Sequence, residues 1–327
     1  MHTSIRKRIF TILAAVAMTV AFGCGKAVLD ERVSAAPSDE IVSIGTDSSD
    51  GGSGSAVVAA SGESSGESFV SAAPDKNAIL VQNGNVRSIA GATIDKTGDA
   101  AGDFSSGGNA AIAVLSQGQL TLLASNVTTN ALGGTGLFVS GEGSVLTADK
   151  NYLITTGDSS PALAVMDGGA LAFTDGTITT EGTQSPCVLL GGGSVSLSRE
   201  TLYAKNSVPV RVLSGENELS LDNMSLSESP SIAEDAFLTL RLTNDASFSG
   251  SFGAALPAQA SVYLDETSSL ALTGDSYLRV FSNAGAAHQN IQSNGYSLYY
   301  DSNAPENEYL GAQAYLLPGG GFLTPLI

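Results

Sequence analysis

The stretch GALAFTDGTITTEG, Gly169 to Gly182, decides the fold of this chain. Leu171 and Phe173 alternate with small neighbours, Asp175-Gly176 marks a turn, and Ile178 sits between threonines. That pattern predicts a short strand, a turn and a second short strand. Similar stretches recur on both sides of it. Six segments open alike: AILV from 78, AIAV from 111, GLFV from 136, ALAV from 162, CVLL from 187 and PVRV from 209. Their last residues, Val81, Val114, Val139, Val165, Leu190 and Val212, lie 33, 25, 26, 25 and 22 residues apart. A second aliphatic follows each, at Val86, Leu120, Val145, Leu171, Val195 and Leu219. A third follows at Ile94, Val127, Ile154, Ile178, Leu202 and Leu226. The chain is a repeat protein with three short strands per repeat.

Period and length select the kind of repeat. Alternation of apolar side chains, as in Leu120/Leu122 and Val195/Leu197, implies one buried and one wet face. No stripe at helical spacing outlasts a turn or two, which excludes helical repeats. The fixed asparagine of a leucine-rich repeat is absent, and a propeller blade needs more residues than these repeats hold. About 25 residues at ~3.3 Å each give a loop ~80 Å long, enough for one coil of three strands around a packed interior. Coils stacked ~4.8 Å apart satisfy every interior backbone group. The expected fold is all-β: a single-stranded right-handed parallel β-helix with coils of about 25 residues. Of the 20 Phe and Tyr residues, 12 lie at or beyond Phe237, which predicts an irregular, aromatic-rich C-terminal cap over the last coil.

The repeat defines the rest of the chain by contrast. Residues 1–23 carry a basic start, MHTSIRKR, and an apolar stretch, IFTILAAVAMTVAF, too short for a stable membrane span. The stretch ends at Ala21-Phe22-Gly23-Cys24, which resembles the lipobox of bacterial lipoproteins; Ala21 and Phe22 depart from its usual residues. The resemblance implies lipidation at Cys24, and with it a protein held on the membrane and facing outward. Plain secretion, with cleavage after Gly23 or near Ala35-Ala36, is the alternative. Residues 24–55, acidic and rich in Gly and Ser, read as a flexible tether. The β-helix is expected over 56–300 and the cap over 301–327.

The run SFVSAAPDKNAILVQNGNVRSIAGATIDKTGD, followed by GGNAAIAV, resembles the start of bacterial surface proteins with adhesin-like, pectin-lyase-like right-handed β-helix domains. LTGDSYLRV and NIQSNGYSLYY are similar to how such domains end. The resemblance spans roughly Ala56 to Tyr300. It implies the fold, an extracellular setting and an adhesive or carbohydrate-binding role, and it transfers no catalytic motif.

Charge and chemistry bound the function. The chain carries 32 acidic against 14 basic residues, a net charge of −18, and three of those basic residues, Arg6, Lys7 and Arg8, lie in the first 23 positions. Such a field repels phosphate backbones and excludes nucleic acid as a partner. The only cysteines are Cys24 and Cys187, so a lipidated Cys24 leaves Cys187 without a partner, and small buried filler is its expected role. His288 is the only histidine after the signal stretch, too few for a histidine triad or a zinc site. Arg87, Arg199, Arg211, Arg241 and Arg279 are scattered with no repeat-related acid beside them, unlike the arginine base and calcium cluster of a polysaccharide lyase. Asp149, Asp175 and Asp222 fall near equivalent turns, where aspartate serves the backbone. No cofactor and no metal is expected.

The first expectation is therefore a non-catalytic, monomeric surface protein, adhesive or structural, meeting a surface glycan or a protein. A carbohydrate-binding module comes next, and a lyase- or hydrolase-like enzyme or an ice-binding protein last. Thr128-Thr129, Thr155-Thr156 and Thr179-Thr180 occupy similar places on three coils and raise the ice-binding possibility; strand preference and like-residue ladders are the favoured explanation, since only one of each adjacent pair can face outward. The first interval exceeds its neighbours by about eight residues, which predicts a loop at 97–108 protruding from a corner. Asp99, Asp103 and Phe104 on that loop are the candidate partner contacts.

Overall fold

The computed structural model describes residues 57–58, 61–101, 106–253 and 258–326. The signal stretch, the tether, Cys24, Asp103 and Phe104 lie outside the described residues.

The chain forms a parallel β-helix of about ten turns. Each early coil contributes three strands, one to each of three faces. The first face holds Ile79–Val81, Ile112–Leu115, Leu137–Ser140, Leu163–Met166 and Val188–Gly191, paired in parallel from coil to coil. The second holds Val86–Ala90, Gln119–Leu123, Val145–Asp149, Ala170–Thr174 and Ser194–Ser198. The third holds Ser68–Ser71, Thr93–Lys96, Asn126–Thr129, Tyr152–Thr155, Thr177–Thr183 and Thr201–Asn206. The strand Val210–Asp222 then runs through the first and second faces without interruption.

Val81, Val114, Val139, Val165, Leu190 and Val212 stand in mutual register and are buried throughout, forming one interior column. Burial of such a column is the main favourable term holding the coils. The other two columns depart from expectation by single residues. Val86 and Val145 point outward, and Leu146 takes the interior place in register with Leu120 and Leu171. On the third face Leu153, not Ile154, joins Val127 and Ile178 inside. In VLTAD and YLIT two adjacent apolar residues fit either register, and a one-residue slip exchanges the faces.

The first face is apolar on both sides. Leu80, Ala113, Phe138, Ala164 and Leu189 form its outward row, and Ala110 and Met166 join them in a second, smaller apolar cluster. One wet face per strand thus does not hold here. Phe138 is nearly fully buried, and Gly107 lies against it: a Cβ on Gly107 would stand 2.2 Å from Phe138 Cδ1. The extra residues do fall at the expected corner, between Lys96 and Ile112. Their described flanks do not protrude. Asn109 Nδ2 donates to the carbonyls of Gly98 (3.0 Å) and Leu132 (3.2 Å), and its Oδ1 accepts from Asp75 N (3.0 Å). Gly98 is buried, with no room for a side chain against the Ala72 carbonyl.

Beyond Asp222 the geometry changes. The second face continues through Ala236–Thr243, Ala260–Leu264 and Val280–Asn283. The third side is taken by a separate sheet of Ser225–Leu226, Ser247–Gly250, Ser269–Leu272 and Ile291–Gln292. The end is closed by Ser276–Leu278, Leu298–Asp301 and Phe322–Leu326, which also pair in parallel. Phe322–Leu326 lies in parallel register on Leu298–Asp301, as one more coil strand. A 3-10 turn at Pro305–Leu310 and the antiparallel pair Tyr315–Leu316/Phe322–Leu323 cover the interior. Three tyrosine hydroxyls fasten it: Tyr300 to the Gln313 carbonyl, Tyr315 to that of Leu310 and Tyr309 to that of Phe281, each at 2.9 Å. Tyr300 is fully buried, and a buried phenol needs such a partner.

Candidate functional site

The threonine pairs separate into an inner and an outer row. Thr129, Thr155 and Thr180 stand in register and are fully buried, so Thr155 and not Thr156 is the equivalent residue. Thr129 Oγ1 donates to the Gly134 carbonyl and Thr155 Oγ1 to that of Ser160, both at 2.7 Å. These hydroxyls fix the corner that follows each strand. The outward row is Thr128, Ile154, Thr179 and Tyr203, which is no threonine array and removes the basis of the ice-binding possibility.

Within the outer third face lies a window across four coils, bordered by Asp95 one coil earlier and by the Glu181–Lys205 ion pair farther along the last two strands. Its eight positions are Asn126, Thr128, Tyr152, Ile154, Thr177, Thr179, Thr201 and Tyr203. None carries a charge. Tyr152 is 47% exposed and Tyr203 55%, and among the described residues neither hydroxyl makes a hydrogen bond. The two rings stand two coils and two residues apart, about 12 Å by strand geometry. The sequence carried both tyrosines, but their facing was hidden because Tyr152 sits beside Leu153-Ile154, where register was ambiguous.

Lys96 stands in the inner threonine column one coil before Thr129, with Ser71 one coil before it, and is fully buried. Nζ donates to the carbonyls of Ala73 (2.8 Å) and Gly98 (2.6 Å). Burial lowers its pKa, opposed by the nearby Asp75 and Asp99 carboxylates. Asp99, a predicted contact, is exposed, and its carboxylate accepts from Leu132 N at 2.8 Å. It joins two coils through that bond.

The corner between second and third faces carries a polar ladder. Ser125 Oγ accepts from Ala92 N (3.0 Å), Asn151 Oδ1 from Ser125 N (2.8 Å), and both Glu200 oxygens from Gly176 N (2.9 and 3.0 Å). Each side chain satisfies a backbone donor one coil earlier. Glu200 is 7% exposed, and burial pushes its carboxyl up to about 7, opposed by the Gly176 bond. Outside it Arg199 holds Asp175 with two bonds, Nε to Oδ1 at 2.5 Å and Nη2 to Oδ2 at 2.8 Å. The Arg199 hydrogen bond lowers the Asp175 pKa.

Two further arginines also have acids beside them, contrary to expectation, because their partners come from other coils. Arg241 meets Glu218 at 3.1 Å and lies over the Tyr263 ring; Arg279 meets both Glu216 oxygens at 3.0 and 3.1 Å and lies over Phe237. These pairs border a shallow, open cleft of about 330 Å³ floored by Gly168, Gly169, Gly192 and Gly193. Glu216 and Glu218, at the rim of the cleft, are each ion-paired with an arginine.

Among the described residues no group of three His, Cys, Asp or Glu side chains is placed to hold a metal, and no helix is long and apolar enough to cross a membrane. Cys187 is fully buried 4.0 Å from Thr180 Oγ1, and burial pushes its thiol up to about 12, away from nucleophilic use. His288 packs edge-on against Tyr315, with burial lowering its pKa. No family model matches the chain, and no curated protein and no solved structure matches it significantly.

Proposed function

We propose that the chain is a non-catalytic cell-surface protein that makes adhesive contact through the outer third face of its β-helix. Lipid on Cys24 holds it at the membrane, and residues 24–55 set the coils away from the bilayer. The observation that carries this is the uncharged window from Asn126 to Tyr203, lying in a chain of net charge −18. Elsewhere the acids keep the surface soluble and repel polyanions; here a partner meets hydroxyls and two tyrosine rings. Exposed tyrosines among threonines favour carbohydrate as the second reading, since ring faces stack on sugar C–H groups while hydroxyls take up hydrogen bonds.

A glycan array and a cell-binding assay, run on residues 56–327 and on the Tyr152→Ala/Tyr203→Ala variant, test this. Binding by the wild type and about five- to tenfold weaker binding by the variant, with unchanged thermal stability, is the expected result; stacking of about 1–1.5 kcal/mol from the rings predicts that scale. Equal binding by both proteins would remove the window from the function. Binding to cells without binding to any glycan would assign the partner to protein.

A further inference from the structure

The third sheet stops before the helix does. Its strands pair from Ser68–Ser71 through to Thr201–Asn206, which is the last in the sheet. In the next coil the corresponding strand shrinks to Ser225–Leu226, and this pairs onward with Ser247–Gly250 instead of back. Among the described residues no backbone hydrogen bond joins 201–208 to 223–230. The coils on either side are continuous on the other faces, through Val188–Val210 and Val195–Leu219. The break therefore opens a seam on one side only.

The seam presents an unusual edge. Thr201–Asn206 has six residues where earlier third-face strands mostly have four, and Asn206 Nδ2 holds its end by donating to the Glu181 carbonyl at 2.6 Å. In a parallel ladder alternate residues turn their N–H and C=O to opposite neighbours, so half of this strand's groups face the seam without a partner. Thr201, Tyr203, Lys205 and Asn206 are exposed, while Leu202 and Ala204 are only partly buried against the core. Proteins usually blunt such an edge by keeping it short, bulged or covered. This one is long, and among the described residues no strand pairs with its free side.

We propose that Thr201–Asn206 is a strand-addition site for an extended segment of a partner polypeptide. Main-chain hydrogen bonds along the seam supply the affinity, as in other β-augmentation sites, and the half-buried Leu202 and Ala204 accept the partner's inward side chains. Charge selects the rest. Lys205 is engaged by Glu181 at 3.8 Å, and Glu228 stands exposed across the seam, so the fitting segment carries Lys or Arg on its outward positions. The site goes beyond the adhesive face: it recognises backbone, whereas the window beside it offers side-chain hydroxyls and rings.

The test uses the mature chain and a capped hexapeptide, acetyl-Lys-Val-Thr-Val-Thr-Lys-amide, with a copy methylated on alternate backbone nitrogens. Hydrogen exchange read residue by residue is expected to slow about tenfold or more at amides within Leu202–Asn206 when the hexapeptide is saturating. The methylated copy, which cannot complete the ladder, is expected to protect nothing there. Protection by both peptides alike, or none within 201–206, overturns the proposal. So does an edge already protected in the free protein together with a concentration-dependent dimer, which would assign the seam to a second copy.

Discussion

Glu200 shows how a single buried carboxylate ties stability to pH in this fold. Its folded pKa of about 7 lies above the ordinary 4.5, so between those values the folded chain binds more protons than the unfolded one. Stability contributed by the protonated form is fully present below about 4.5 and falls as pH rises through about 7. The neighbouring charges work in both directions: Asp175 and Asp149 raise the value, while Arg199 lowers it. Glu200→Gln keeps an acceptor for Gly176 N without the titration. Thermal and denaturant unfolding at steps from pH 4.5 to 8 should show the wild type losing on the order of 2 kcal/mol relative to the variant. Parallel curves for the two proteins would contradict a raised Glu200 pKa. Little of this was legible in the sequence. Equivalent corner positions hold Ala92, Ser125, Asn151, Gly176 and Met224, so no repeated residue type announces the ladder that Glu200 joins. The interior columns were legible to within one residue; they failed at Val145 and Ile154, where two apolar residues stand side by side, and at Val86, where the residue in register with the interior Leu120 is Arg87.

The insertion between Lys96 and Ile112 makes the corresponding point for an element. Its length and corner could be read from the first interval, because a coil absorbs extra residues only at a turn. Its docking could not, since Asn109, Asp99 and Lys96 act across coils and no local pattern reveals partners some 20 to 35 residues away. The described flanks belong to the wall of the helix. Asn109→Ala removes three hydrogen bonds from a buried residue and should cost about 2 kcal/mol in denaturant unfolding, and Asp99→Ala about 1 kcal/mol. An Asn109→Ala protein as stable as the wild type would return the flanks to the status of a free loop. The first face teaches a related lesson: AILV, GLFV and ALAV are nearly continuous apolar runs, the mark of a strand covered on both sides. Continuous runs were visible from the start, but alternation in the other strands drew attention from them.

At the scale of the whole molecule, a repeated coil with a closed C-terminal end converts a Gly-, Ser- and Thr-rich sequence into long, flat, register-matched faces. Such faces suit contact along an extended partner. Stacked coils also place the uncharged window and the seam beside each other, so one side of the helix carries both proposed contacts. The proposed function sets that side outside the membrane, so the proposed lipid on Cys24 is the step on which that function depends. The direct measurement is fractionation of cells producing the wild type or Cys24→Ser, with fatty-acid labelling and protease treatment of intact cells. The account predicts a labelled wild-type protein that partitions with membranes and is trimmed from outside, and an unlabelled variant that does not partition with them. Equal release of both as soluble, unlabelled protein would contradict it.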